Sequence, residues 1–323
     1  MQTLETPPDQ RDIRAYYTPI DKAFRGFVSS AALFSLVVLV MIAAFLLYRG
    51  FEIFSDFGFG FITNSKWEIL NPEDTSTATF GIAAMLVGSI ITACIAIVIA
   101  VPFAMASALF IEYYSPRFLR TALTALLDLV AAIPSVIYGI WGYVVLLPLV
   151  EDWSATLNKY LDWIPLFAVR TPIFGRSPFL AGLLLSIMIL PIVTSVAREV
   201  YGQAPRDLVD ATYALGGTKW GGIKTVVLPF GRSGLVGGAM LGLGRALGET
   251  IAVYLTLNLV FEVNFKILAS AGGNVASLIA TKFGEASAYE IKGLMAAGLV
   301  LFLVTLAVNF LATVIVNRSR KIV

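Results

Sequence analysis

Long apolar runs alternate with short polar segments along almost the whole chain, and six of the runs reach the roughly 20 residues a helix needs to cross a bilayer core of about 30 Å. They lie at 27 to 48, 80 to 111, 119 to 150, 178 to 197, 233 to 260 and 291 to 316. The pattern predicts an all-α, polytopic membrane protein with six transmembrane helices. The second and third runs exceed what a perpendicular crossing requires. They must tilt, extend past the bilayer or bend, and Pro102, Pro134 and Pro148 mark the bending points. Residues 1 to 26 and 317 to 323 read as polar tails around a membrane domain of residues 27 to 316, the first tail disordered and followed by a retained anchor rather than a cleaved signal.

Between the fourth and fifth runs, residues 198 to 232 are too polar to span. Within them Leu208, Ala211, Thr212 and Leu215 recur at helical spacing before Gly216 and Gly217, predicting a short surface helix with a glycine stop. Pro229 closes the segment. Read without further context, such a helix fits the headgroup layer as well as it fits a partner's groove.

Basic residues set the orientation. Arg11, Arg14, Lys22 and Arg25 precede the first run, Arg117 and Arg120 separate the second from the third, and Arg198, Arg206, Lys219, Lys224 and Arg232 separate the fourth from the fifth. Arg318, Arg320 and Lys321 follow the last. All fall on the side shared by the two termini, which the positive-inside rule makes cytoplasmic. The opposite loop at 49 to 79 carries Glu52, Asp56, Glu68, Glu73 and Asp74, and Trp67, Trp153 and Trp163 are placed at the outer interface. Residues 151 to 177 and 262 to 290 form the other outer loops.

Composition adds exclusions. The chain has 323 residues, 58 % of them hydrophobic and 14 % charged, with a net charge of only +2, so nothing in the total points to nucleic acid. One cysteine, Cys94, rules out an intrachain disulfide and a cysteine metal cluster. The lack of histidine removes His-based triads, the usual zinc sites and imidazole proton relays.

Two charges inside the fifth run carry the candidate chemistry. Arg245 cannot shed its proton, so a position about 18 Å in from Ser233 is costly unless the charge is used or paired. On a continuous helix Glu249 falls on the same face four residues later, together with Gly234, Gly238, Gly242, Ala252 and Thr256, while Met240, Leu243, Leu247 and Ile251 fall opposite. Two readings stay open. The stripe packs against a neighbouring helix with Arg245 and Glu249 neutralising each other, or it lines a passage in which the guanidinium fork meets a tetrahedral oxyanion and the carboxylate competes to keep binding weak. A second stripe, Asp128 and Ser135 with Thr121, Thr124, Ala132 and Gly139, forms on the third run if Pro134 does not rotate the helix; it too is either packing or pathway.

The polar segment has a recognisable order. Asp210, Ala211 and Thr212, then Gly216, then nine residues on Val226, Leu228 and Pro229 resemble the coupling loop of ABC importer permeases, with Asp for Glu, Thr for the second Ala and Val for Ile. The run 237 to 253, that loop and IPSVIYGIWG at 133 to 142 further resemble the permeases of phosphate-specific ABC importers, the PstC-type subunit in particular. The resemblance implies a type I ABC importer permease fold whose helix at Asp210 to Gly216 docks on an ATP-hydrolysing subunit, with Arg245 and Glu249 on the path of inorganic phosphate. It implies as partners a second related permease, two ATP-binding subunits and an extracytoplasmic phosphate-binding protein, in the cytoplasmic membrane, with no cofactor. The chain itself lacks an ATPase motif: in the glycine-rich stretch at 217 to 225, Lys224 falls one place late for a phosphate loop. Sulfate or molybdate permeases share the coupling loop and remain the alternative in class. An ion-coupled anion carrier or channel would explain the charged stripe without the surface helix, and a purely structural membrane subunit would need neither charge for flux.

Overall fold

The structure, a computed structural model, describes residues 18–69, 77–170 and 173–320; of the disordered tail expected over 1 to 26, the first 17 residues lie outside it, and 19–26 are helical rather than disordered. The chain divides into two units, Met1–Phe45 and Leu46–Val323. Helix α1 (Pro19–Phe57) contributes to both. It begins earlier than hydropathy alone predicts because Thr18 and Asp21 cap it reciprocally: the Thr18 N–H donates to Asp21 Oδ2 at 3.0 Å and the Asp21 N–H to Thr18 Oγ1 at 3.2 Å.

A short turn of helix, α2 (Gly60–Thr63), leads to an antiparallel pair of strands, β1 (Trp67–Ile69) and β2 (Ala78–Phe80), with Trp67 opposite Phe80. Alternation turns Trp67 and Phe80 inward, and Trp67 Nε1 donates to Glu290 Oε1 at 2.7 Å. Trp67 is therefore buried rather than placed at the interface, because its ring fills the space between the hairpin and the last helix.

Then follow α3 (Ala83–Leu109), extended by a π-helical turn through Tyr114, α4 (Arg117–Ala131), α5 (Ser135–Trp141), a π-helical turn at 142–146, α6 (Leu147–Leu161) and α7 (Pro178–Gly202). After these come α8 (Arg206–Ala214), α9 (Lys219–Gly222), a third π-helical turn at 223–227, α10 (Leu228–Gly248), α11 (Ile251–Thr256), α12 (Val275–Lys282) and α13 (Ala288–Arg320). Two of the π turns directly precede Pro148 and Pro229. A proline offers no N–H to the preceding turn, and the widened turn accommodates that loss without ending the helix.

Among the described residues six helical segments are long and apolar enough to cross a membrane: Pro19–Phe57, Ala83–Tyr114, Ser135–Leu161, Pro178–Gly202, Lys219–Gly248 and Ala288–Val314. Two of the sequence boundaries need correction. The run at 119 to 150 is not one helix: α4 stops at Ala131, the chain turns through Ala132 and Ile133, and Pro134 caps a new helix that reaches Leu161. At 15 residues and about 22 Å, α4 is too short to cross alone. The fifth crossing runs from Lys219 to Gly248 and not from 233 to 260, because Lys224, Thr225 and the glycines before 233 are helical though not hydrophobic and the helix breaks at Glu249.

Small residues set the packing. Ala93, Ala96, Ala100, Ala104 and Ala108 are all buried on α3, and a Cβ added at Gly182 of α7 would lie 2.6 Å from Ile95. Helix α10 lies on α7 in the same way: a Cβ at Gly231 would meet the Tyr201 ring at 2.3 Å and one at Gly234 would meet Val200 at 2.3 Å, whereas Gly237 faces open space. Gly234→Leu is therefore expected to push α10 off α7, at a cost of roughly 1–3 kcal/mol, and Gly237→Leu to be tolerated. Thermal-shift measurements on the detergent-purified protein should show a lowered Tm for the first only.

Candidate functional site

The site is built on a break. Helix α10 ends at Gly248, and Glu249 adopts extended backbone, φ −69° and ψ 129°, before α11 restarts at Ile251. Ala252 N–H turns to the Glu249 carboxylate, donating to Oε1 at 3.4 Å, so the side chain serves the first turn of α11. The Glu249 carbonyl, turned out of the helix, accepts from Asn274 Nδ2 at 2.7 Å. Both residues are buried, Glu249 at 9 % exposure and Asn274 at 1 %.

This overturns the geometry expected for the two charges. On a continuous helix Arg245 and Glu249 share a face; across the break they do not meet, and among the described residues no ion pair joins them. Arg245 lies in the last turn of α10, not in mid-helix, where the carbonyl end of the helix favours a cation. Its Nε is buried and finds no hydrogen-bond partner. Arg245 as a whole is half-buried, and a permanently charged guanidinium with no carboxylate on it can take an anion from outside the chain.

The remaining predicted residues separate into those brought to this place and those kept from it. Tyr138 of α5 is close enough to Arg245 to interact with its charge, and its hydroxyl donates to Val130 O at 2.8 Å across the α4–α5 break. Helix α5 crosses α11 at Gly139, where a Cβ would sit 3.0 Å from Ala252 Cα, and Ser135 stands half-buried one turn earlier at the start of α5. Asp128 is exposed on α4, and the turn at 132–134 destroys the stripe that joined it to Ser135. Thr256 is fully buried, its Oγ1 donates to Ala252 O at 2.7 Å, and its methyl lies 3.2 Å from a Cβ at Gly142; it packs α11 against the third crossing instead of lining space. Gly234, Gly238 and Gly242 face Val200, Val196 and Val193 of α7, so the glycine half of the charged stripe is helix packing. Asn274 was missed, because an asparagine ahead of an apolar octet signals a helix cap and nothing about the carbonyl 25 residues earlier.

At the other end of the bundle, α8 forms where the sequence placed its surface helix. Gly216, at φ +80°, takes the left-handed conformation that a glycine adopts without strain. Its N–H donates to Tyr213 O at 2.9 Å and that of Gly217 to Thr212 O at 2.8 Å, a paired C-terminal cap. The apolar pattern points away from the rest of the chain. Leu208 is 55 % and Leu215 88 % exposed, Ala211 and Asp210 are exposed with them, and Val209 is the residue that anchors the helix inward against Ile223 and Val227. Thr212 Oγ1 bonds back to Val209 O at 2.7 Å, Leu228 is half-buried beside this cluster, and Pro229 opens α10. Beneath α8 lies a cavity of about 260 Å³ lined by Glu112, Arg120, Arg206 and Asp210 among others, with Arg120 paired to Glu112. Residues 219–227 are helical, not the loop a phosphate-binding motif requires.

Comparison with known proteins follows the same elements. Residues 100–321 match the family described as binding-protein-dependent transport system inner membrane component. The chain is 38 % identical over 317 residues, 97 % of its own length and 94 % of the relative's, to the phosphate transport system permease protein PstC of Xylella fastidiosa. It is 37 % identical over 306 residues, 94 % and 93 % of the two lengths, to the protein of the same name from Pasteurella multocida. Among solved structures it resembles a bacterial ABC transporter involved in the import of the acidic polysaccharide alginate, with a TM-score of 0.52 over 92 % of this chain and 99 % of that one; at 16 % identity the likeness concerns the fold alone.

Proposed function

We propose a function from one premise: the chain belongs to the binding-protein-dependent transport system inner membrane component family, and it is the permease subunit of an ATP-driven importer of inorganic phosphate. The observation that carries the substrate is the near full-length similarity to phosphate permeases, which takes in both the α8 segment and the Arg245 segment. It is a multi-pass membrane protein of six crossing helices and not an enzyme; ATP is hydrolysed on a separate subunit. We place it in the cytoplasmic membrane with both termini inside, α8 in the cytoplasm, residues 1–26 and 317–323 as tails and 198–232 as the coupling loop of a 27–316 membrane domain.

The chemistry follows from the two ends of the bundle. Arg245, half-buried with its buried Nε unpartnered, offers a planar fork to a tetrahedral oxyanion. Glu249, engaged on α11, is close in sequence and free to compete for that fork when the break rearranges, which keeps the anion from being trapped. At the far end, Asp210, Ala211, Thr212, Leu215 and Gly216 form a small rigid plug whose exposed leucines suit the groove of an ATP-binding subunit, with Leu228 and Pro229 passing its movement into α10. Two ATP-binding subunits, a second permease and an extracytoplasmic phosphate-binding protein complete the assembly. ATP-driven closure then moves α8, opens the bundle outward to the delivering protein, and hydrolysis returns it.

The test is uptake of labelled phosphate in cells lacking other phosphate systems, with and without the ATP-binding subunit. ATP-dependent uptake that excess sulfate and molybdate fail to compete supports the reading. Uptake persisting without the ATP-binding subunit would identify an ion-coupled carrier, and competition by sulfate or molybdate would identify a different oxyanion permease.

A further inference from the structure

Where a helix breaks inside a membrane, the freed backbone groups must find partners, and what supplies them controls the break. In an unbroken α10 the Glu249 carbonyl would accept from the N–H of Val253. Here it is turned aside and accepts from a single side chain, Asn274, at 2.7 Å. The same asparagine begins α12: its Oδ1 accepts from Ser277 N–H at 2.6 Å, and its own N–H donates to Ser277 Oγ at 3.4 Å. Because Oδ1 is committed to the cap, the amide presents Nδ2 to Glu249, and the orientation follows from the network.

Asn274 is itself held firmly. The Val275 N–H donates to Ser89 Oγ of α3 at 3.1 Å, and Gly88 and Gly273 approach so closely that a Cβ on the former would lie 2.0 Å from the carbonyl oxygen of the latter. The Val260 N–H donates to Gly272 O at 2.8 Å, so the loop from α11 returns on itself before delivering Asn274 to the break. One buried amide thus ties a rigid loop and α3 to the backbone of Glu249.

We propose that Asn274 is a positioning residue for translocation: by holding the Glu249 carbonyl out of the helix it keeps the Glu249 carboxylate off Arg245 and leaves that guanidinium open to the anion. The proposal rests on Arg245 being a pathway residue. Without the Asn274 donor, the Glu249 carbonyl regains a partner only by rejoining the helix, which brings Glu249 to the i+4 position from Arg245, where the two charges pair. The importer then carries a self-neutralised arginine.

Asparagine, aspartate and serine are near-equal helix N-caps. If Asn274 did no more than cap α12, Asn274→Asp and Asn274→Ser would transport as wild type does. The proposal expects both to lower the maximal rate of phosphate uptake at least tenfold in the assembled transporter, with KM unchanged and ATP-binding subunits still copurifying, since an ionised aspartate has no proton to donate and the serine hydroxyl, one bond shorter than the Asn274 amide, does not reach the Glu249 carbonyl. It further expects the loss to disappear in a Glu249→Gln background, where no carboxylate is left to capture Arg245, so that adding Asn274→Ser changes the rate less than twofold. Wild-type rates in both variants, an effect on KM alone, an equal loss in the Glu249→Gln background, or failure of both variants to assemble would each overturn it. Arg245→Gln is measured alongside: unchanged uptake there brings down the pathway reading itself, separately from the role of Asn274.

Discussion

Arg245→Gln is expected to reduce phosphate uptake by about two orders of magnitude while leaving the subunit assembled in the membrane. The reasoning is energetic. Arg245 Nε is buried without a partner, and no carboxylate neutralises the group among the described residues. A charge in that state is not a stabilising contact, so removing it takes away no bond that holds the bundle together. What it removes is a charge-assisted fork for the passing anion, worth up to about 3 kcal/mol, or roughly a hundredfold in rate. Arg245→Lys keeps the charge and loses the planar two-point geometry, so an intermediate loss, about tenfold, is expected. The measurement is initial uptake of labelled phosphate at equal membrane levels, with copurification of the ATP-binding subunit as the control. Normal uptake in Arg245→Gln would reduce the charge to a packing feature; loss of assembly would show that the arginine pairs with another chain to build the complex.

Much of this protein was legible in its sequence because apolar runs and turn chemistry are local signals. Four of the crossings were placed from hydropathy, and the α8 helix with its Gly216 stop was placed from periodicity and one glycine pair, since both depend on residues within a dozen of each other. What escaped was non-local. Pro134 could have bent a single helix or ended it; the helix ends, and the turn is held by the Val130 carbonyl, which accepts from both the Ile133 N–H and the Tyr138 hydroxyl. Glu249 looked like the i+4 partner of Arg245 because Ala-Leu-Gly-Glu-Thr-Ile contains no proline to announce a break. The break exists because Asn274 supplies a donor from 25 residues later. Thr256 fell on the charged stripe only for as long as the helix was assumed continuous. Charges in a membrane segment thus pointed to the right place, while the arrangement of the site depended on contacts that no periodicity encodes.

Leu215→Asp is expected to abolish coupled transport with little effect on the stability of the chain itself. Leu215 is 88 % exposed at the end of α8, and Leu208, two turns earlier on the same face, is 55 % exposed, so neither pays its way in the fold; Val209, at 8 % exposure, holds the helix down. An apolar side chain left that far in water at the tip of a rigidly capped helix is stabilised only when a partner covers it. Covering a leucine contributes roughly 1.5–3 kcal/mol, and a buried aspartate in its place would add an unpaired charge to the interface. The ATP-binding subunit should therefore bind at least about tenfold more weakly, and uptake should fall with it. Gly216→Val acts on the same element by a different route. Nothing crowds a Cβ at that position, but φ +80° is a genuine outlier for a β-branched residue, so the cap formed by the Gly216 and Gly217 amides should open. A loosened plug can still be covered, yet it no longer transmits a displacement into α9 and α10. The expected signature is an ATP-binding subunit that copurifies and hydrolyses ATP while phosphate uptake falls, in contrast to Leu215→Asp, where the subunit is lost. If both variants transported normally, α8 would be a helix of the headgroup layer, and the mechanical link between ATP hydrolysis and Arg245 would have to be sought at another surface of the chain.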